Sequence, residues 1–139
     1  MGPNNWGRGM GWYMLALKSV INRNILQDDE YIDYTDKVNL FLKEINSLKQ
    51  DRIYTQFPGT SYSFDSSTST MLMYGENVLT PNKYSRKDIL DIYKDYIKQN
   101  GIIDLCSGDA YGVNKYSFNF GESELSQGVL LLLLSSCND

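Results

Sequence analysis

The 139-residue chain has the length of one domain, 1–139, with a real core. Its net charge is −4 and its 13 Lys and Arg residues gather into no stripe, so nucleic acid is not an expected partner. It has no histidine, which removes Ser-His-Asp and Cys-His activation and the commonest transition-metal ligand; no metal and no cofactor are expected.

The first residues, Met1-Gly2-Pro3-Asn4-Asn5, lack the basic start and apolar core of a signal peptide. A first helix is expected over 9–23, where Met10, Trp12, Met14, Leu15, Leu17 and Val20 leave little polar surface, as in a helix buried all round. The second, over 29–50, carries a narrow stripe of Tyr31, Tyr34, Val38, Phe41, Ile45 and Leu48 on an otherwise charged cylinder, so it belongs on the outside. Residues 52–65 follow as a long connection with β-rich pieces. The third helix, 66–79, is again mostly apolar, with capping hydroxyls at Ser66, Ser67 and Thr68 and Pro81 beyond its end. The fourth, 85–99, opens on a capping box of Ser85 and Asp88 and closes at Asn100-Gly101. A second long connection, 102–121, leads to the fifth helix, 122–136. Its apolar run at 129–134 is too short to span a bilayer, so no membrane partner is expected and the chain reads as cytoplasmic. Cys106 and Cys137 show no metal-ligand spacing. They read as reduced, buried thiols, with a disulfide between them left open.

Inner and outer helices thus alternate, and both long connections precede an inner helix. Loops that enter the same class of helix lie at one end of a fold and often build a site. The expected fold class is all-α: stacked α/α hairpins, with short β-hairpins in the two long loops. Tyrosine is unusually frequent, at 11 copies, which suits sugars or reflects composition alone.

The densest group of binding-type residues is "NWGRGMGWYMLAL", residues 5–17. No strand precedes its glycines and no GK[ST] follows, so it is not a phosphate loop. Its glycines would let backbone approach a ligand at the start of the helix. Arg8 can present a planar fork to a carboxylate or stand as a surface charge. Trp6 and Trp12 supply flat faces for sugar rings or pack in the core. Asp65, Asp109 and Tyr111 lie in the long loops as possible substrate-loop residues. The alternative for the two aspartates is capping of helices and turns.

With Trp6, Arg8, Gly9 and Trp12 in place, the stretch resembles the W-x-R-G-x-x-W segment of the unsaturated uronyl hydrolases, glycoside hydrolase families 88 and 105. "FDSSTSTMLMYG", "NGIIDLCSGDAYGVNKYSF" and "GESELSQGVLLLLLSS" resemble later segments of that family in the same order. Thr70 replaces an alanine, Met10 stands where polar residues are frequent, and the last segment lacks a histidine often found there. The resemblance implies a six-hairpin α/α barrel, of which this chain would supply the C-terminal half, about three hairpins. It implies a substrate: an oligosaccharide ending in an unsaturated uronate. Trp6, Arg8 and Trp12 would be its substrate-binding residues. The family's catalytic aspartate lies before this motif, so no catalytic residue is assigned here. Asp65, Asp104, Asp109, Glu122 and Glu124 are weak substitutes. Such a chain would act as a fragment without turnover, as one half completed by a homodimer partner or an N-terminal half, or as a non-enzymatic helical interaction module.

Overall fold

The computed structural model describes residues 5–22, 27–112 and 115–138. The expected end of the first helix, at residue 23, lies outside them. Five helices alternate with irregular segments: α1 (Gly7–Asn22), α2 (Asp28–Ser47), α3 (Ser66–Leu79), α4 (Arg86–Tyr93) and α5 (Glu124–Ser136). Between α4 and α5 lie four short strands, β1 (Cys106–Ser107), β2 (Ala110–Gly112), β3 (Lys115–Tyr116) and β4 (Phe120–Gly121).

Helix α3 is the centre of the molecule, with α1 against one flank and α5 against the other. Eleven of its residues are buried, from Ser66 to Asn77. The α1–α3 crossing is close because each helix offers a glycine to a methionine of the other. A methyl group at Gly11 would lie 2.8 Å from Met71 Cβ, and one at Gly75 would lie 2.8 Å from Met14 Cβ. Thr68 fills the space beside Gly7. The motif glycines therefore serve helix packing: the helix starts at Gly7, so Gly9 and Gly11 lie within it and not at an open approach to a ligand.

The outer helices show the expected one-sided burial. Val38, Leu42 and Ile45 of α2 and Ile89 and Tyr93 of α4 join Met14, Leu72, Met73, Leu130 and Leu133 in one core. Helix α4 is much shorter than the spacing predicts. After Tyr93 the backbone tightens, with Tyr96 N–H donating to Tyr93 O at 2.9 Å. Ile97 then pairs with Ile103 across a turn in which Gly101 has φ +83°. Ile97 gains a β-bridge partner that a longer helix would have denied it. At the start of α4 the Ser85–Asp88 capping box is present.

The long connections also divide. Residues 102–121 form two nested antiparallel ladders: Cys106 faces Gly121 and Ser107 faces Phe120 outside, and Ala110 faces Tyr116 and Gly112 faces Lys115 inside. The other connection holds only isolated bridges, Gln50 with Ile53 and Thr55 with Phe64, where a hairpin was expected. Both cysteines are buried and unpaired. Among the described residues no helix is long and apolar enough to cross a membrane.

Candidate functional site

The N-terminal ends of α1, α3 and α5 meet the two long connections, and side chains with binding chemistry collect there. Trp6 lies just ahead of α1, and its indole folds over Gly9, where a methyl group would sit 2.9 Å from the ring. The Arg8 guanidinium carbon lies 5.7 Å from the centre of the same indole. A guanidinium over an aromatic face is held by the ring quadrupole, so the W-x-R-G spacing is a device that aims Arg8.

Arg8 is only 6% exposed. Its Nη2 donates to the Gly108 carbonyl. Its Nε has no hydrogen-bond partner, and among the described residues no carboxylate forms an ion pair with it. A buried guanidinium without a counter-charge is costly. Two further orphan atoms belong to the same neighbourhood: Trp6 Nε1 and Gln56 Oε1. Gln56 is tied in place by its own Nε2, which donates to Ser117 O at 2.8 Å, and by its carbonyl, which accepts the Gly7 N–H at 3.0 Å. Every buried side-chain nitrogen or oxygen left without a partner among the described residues therefore sits where α1 begins. Buried polar groups are nearly always paired, so such a concentration marks a place where partners come from outside the chain.

Arg8 lines a cleft of about 400 Å³. Its walls come from the nested ladders, with Ser107, Gly108 and Asp109 on one side and Asn119, Phe120 and Glu122 on the other. Gly108 N–H donates to Asn119 O at 2.9 Å and so joins the two walls. Glu122 is committed to Lys98, at 2.7 Å, whereas the Asp109 carboxylate makes no hydrogen bond within the described residues. A smaller hollow of about 330 Å³ shares Glu122 and Ser123 and continues towards Gln127.

Behind the cleft wall stands Asp65, which is wholly buried. Its carboxylate caps α3 by accepting the Ser67 N–H at 3.0 Å and the Ser67 and Thr68 hydroxyls at 2.7 and 3.0 Å. It also accepts the N–H and the hydroxyl of Ser107, at 3.1 and 2.7 Å. Leu105, with φ +61°, turns the chain so that its carbonyl accepts the Ser66 N–H at 3.0 Å. That left-handed backbone costs about 1–2 kcal/mol for a non-glycine residue and is held by the cap it completes.

The sequence-based candidates thus separate. Arg8 and Asp109 share the cleft, with Trp6 beside Arg8. Trp12 lies one helical turn after Arg8 on α1 and is 53% exposed. Tyr111, 72% exposed on β2, does not line the cleft. Asp65 is a buried cap that fastens the wall. Gln56 was not among the candidates, because nothing in "RIYTQF" distinguishes a structural amide from a site amide.

Among the solved structures similar to this chain is a glycoside hydrolase from family 105 of C. acetobutylicum ATCC 824, with a TM-score of 0.70 over 98% of the chain at 18% identity. The chain therefore shares the helical-hairpin fold of part of that structure. The chain spans 46% of the length of that structure. No family model and no curated protein matches the sequence.

Proposed function

We propose that this chain is the sugar-holding part of a glycosidase of the unsaturated uronyl type, and that it binds the acidic end of an oligosaccharide without cleaving it. The observation that carries this reading is the buried, uncompensated Arg8 guanidinium at the edge of a cleft. A uronate carboxylate supplies both the charge and the acceptors that Arg8 lacks, and a planar fork matches it. Trp6, beside Arg8, and Trp12, one turn along α1, offer ring faces to the sugar, and Asp109 is free to accept a sugar hydroxyl. Turnover would need a carboxylic acid aimed at the reacting bond. Of the carboxylates near the cleft, Asp65 has its oxygens fully engaged and Glu122 is held by Lys98, while Asp109, the unengaged one, is assigned here to a sugar hydroxyl and not to the reacting bond. In this reading catalysis belongs to a second body, another copy or a complementing half, and the two buried thiols suit the reducing cytoplasm.

Titration calorimetry with a disaccharide ending in an unsaturated uronate tests this. Arg8→Ala is expected to weaken binding about 10- to 100-fold, the equivalent of the roughly 1.5–3 kcal/mol of a charged hydrogen bond. Arg8→Lys, which keeps the charge and loses the fork, should fall between. The ultraviolet absorbance of the unsaturated bond should persist in the presence of the chain alone. Equal binding by wild type and Arg8→Ala, or no binding by wild type, overturns the assignment, and loss of the absorbance overturns the non-catalytic part of it.

A further inference from the structure

Two aromatic rings stand exposed at the same end of the molecule, outside the cleft. Tyr62, from the 52–65 connection, and Phe118, from the segment between β3 and β4, lie with ring centres 5.8 Å apart and planes inclined by 17°. They are 43% and 58% exposed. Water-exposed rings on two separate loops do not take a near-parallel arrangement without support, and the support is visible. Phe57, fully buried, meets Tyr62 edge-on at 5.0 Å and Phe118 at 6.4 Å. Phe57 in turn meets Tyr116 at 5.0 Å, and Tyr116 meets Trp6 at 5.7 Å. A continuous file of rings therefore runs from the indole beneath Arg8 to the exposed pair. Phe118 is also the immediate chain neighbour of Asn119, which lines the cleft.

We infer that the Tyr62–Phe118 pair is a stacking platform for a second sugar ring, farther along the oligosaccharide whose acidic end lies at Arg8. This rests on the function proposed above. A pyranose presents C–H groups on its faces and hydroxyls round its rim, so a flat aromatic surface desolvates the face and leaves the rim to water and to polar neighbours. The exposed Ser61 and Ser63 flank Tyr62 and provide such neighbours. The rings are held before any ligand arrives, so little side-chain freedom is lost on binding. Continuity with the site favours a sugar over a protein partner: Phe118 adjoins Asn119 of the cleft wall, and the ring file links the pair to the indole beside Arg8.

The test compares two probes, a single uronic acid and a tetrasaccharide that carries the same acid at its end. Phe118→Ala and Tyr62→Ala, both at exposed positions, should weaken the tetrasaccharide about tenfold and leave the single sugar unchanged. Phe118→Trp should restore tetrasaccharide binding. If the tetrasaccharide binds the alanine variants as it binds wild type, while Arg8→Ala weakens both probes, the platform is wrong and the Arg8 site stands. If wild type binds neither probe, both fall together. If the alanine variants alter the oligomeric state and not sugar binding, the pair is a protein contact and the inference is overturned.

Discussion

Glycine has two opposed uses in this chain, and side-chain replacement separates them. Gly75 of α3 holds Met14 of α1 against its backbone, with the Met14 Cβ, Cε and Sδ all within 2.9 Å of where a methyl group would stand. Gly75→Ala should therefore destabilise the protein by about 1–3 kcal/mol through overpacking. Gly128 of α5 has open space in the same direction. Gly128→Ala should stabilise by about 0.5–1 kcal/mol, because alanine restricts the unfolded chain and favours helix. Denaturant titration of the two variants checks both signs, at a concentration where the protein is monomeric, because Gly128 shares a face of α5 with Leu131 and Leu132. At this scale the site was partly legible. Arg8 stood out because a basic residue between two tryptophans at the head of an apolar helix has an obvious chemical use. Tyr62 and Phe118 did not stand out, since their pairing depends on two loops brought together by Phe57, and no spacing in the sequence reports that contact.

Among the elements, α3 joins two unlike polar ends. Its N-cap is Asp65, and its last turn holds Glu76, a fully buried carboxylate at the end of the helix that disfavours negative charge. Lys49 donates to both Glu76 oxygens at 3.1 and 2.9 Å, Lys83 donates at 2.7 Å, and the Tyr54 hydroxyl donates at 3.1 Å, with the Tyr84 hydroxyl completing the group. Burial pushes the Lys49 ammonium below its usual range, against the pull of Glu76. Burial first, and the Glu76 charge second, push the Tyr54 and Tyr84 phenols far above theirs, and burial does the same to Tyr93. In the unfolded chain these phenols ionise near pH 10. Above that pH the folded state binds more protons than the unfolded state, so stability must fall as pH rises. Below it, their contribution is fully present. The depressed Lys49 ammonium acts in the opposite sense, but three phenols outweigh one ammonium, so thermal melts from pH 8 to 12 should show a decline that sets in near pH 10, and Tyr54→Phe should make it shallower. Helix positions and the one-sided burial of α2 and α4 were readable because apolar spacing marks the buried stripe, but the all-round burial expected of α1 does not hold, since Trp12 and Tyr13 are each 53% exposed. The end of α4 was not, because Ile97 satisfies a helical stripe as well as a β-bridge, and only the position of Ile103 decides between them.

For the whole molecule, the flanks matter most. Helices α1 and α5 shield α3 on both sides, yet they turn large apolar groups outward: Tyr13 on α1, Leu131 and Leu132 on α5. Exposed apolar patches of this kind mark contact surfaces. With the chain spanning 46% of the family 105 structure, a second copy is the proposed cover. Light scattering at micromolar concentration should give twice the monomer mass of 15.9 kDa. Leu131→Glu with Leu132→Glu should return the protein to monomer, and a stable monomeric wild type that binds no hydrophobic dye would refute the proposal. That the chain matches only part of a larger helical fold was legible only through resemblance, since apolar helices read alike whether a neighbour or solvent lies beyond them. Asp65 then acquires a meaning at this scale. One carboxylate caps the central helix and grips both polar groups of Ser107 in the cleft wall. The wall cannot swing away while the helix stays wound, and the helix cannot fray from that end while the wall stays attached. Opening of the cleft at Ser107 is thereby coupled to unwinding of the first turn of α3, and the two should lose protection against hydrogen exchange together.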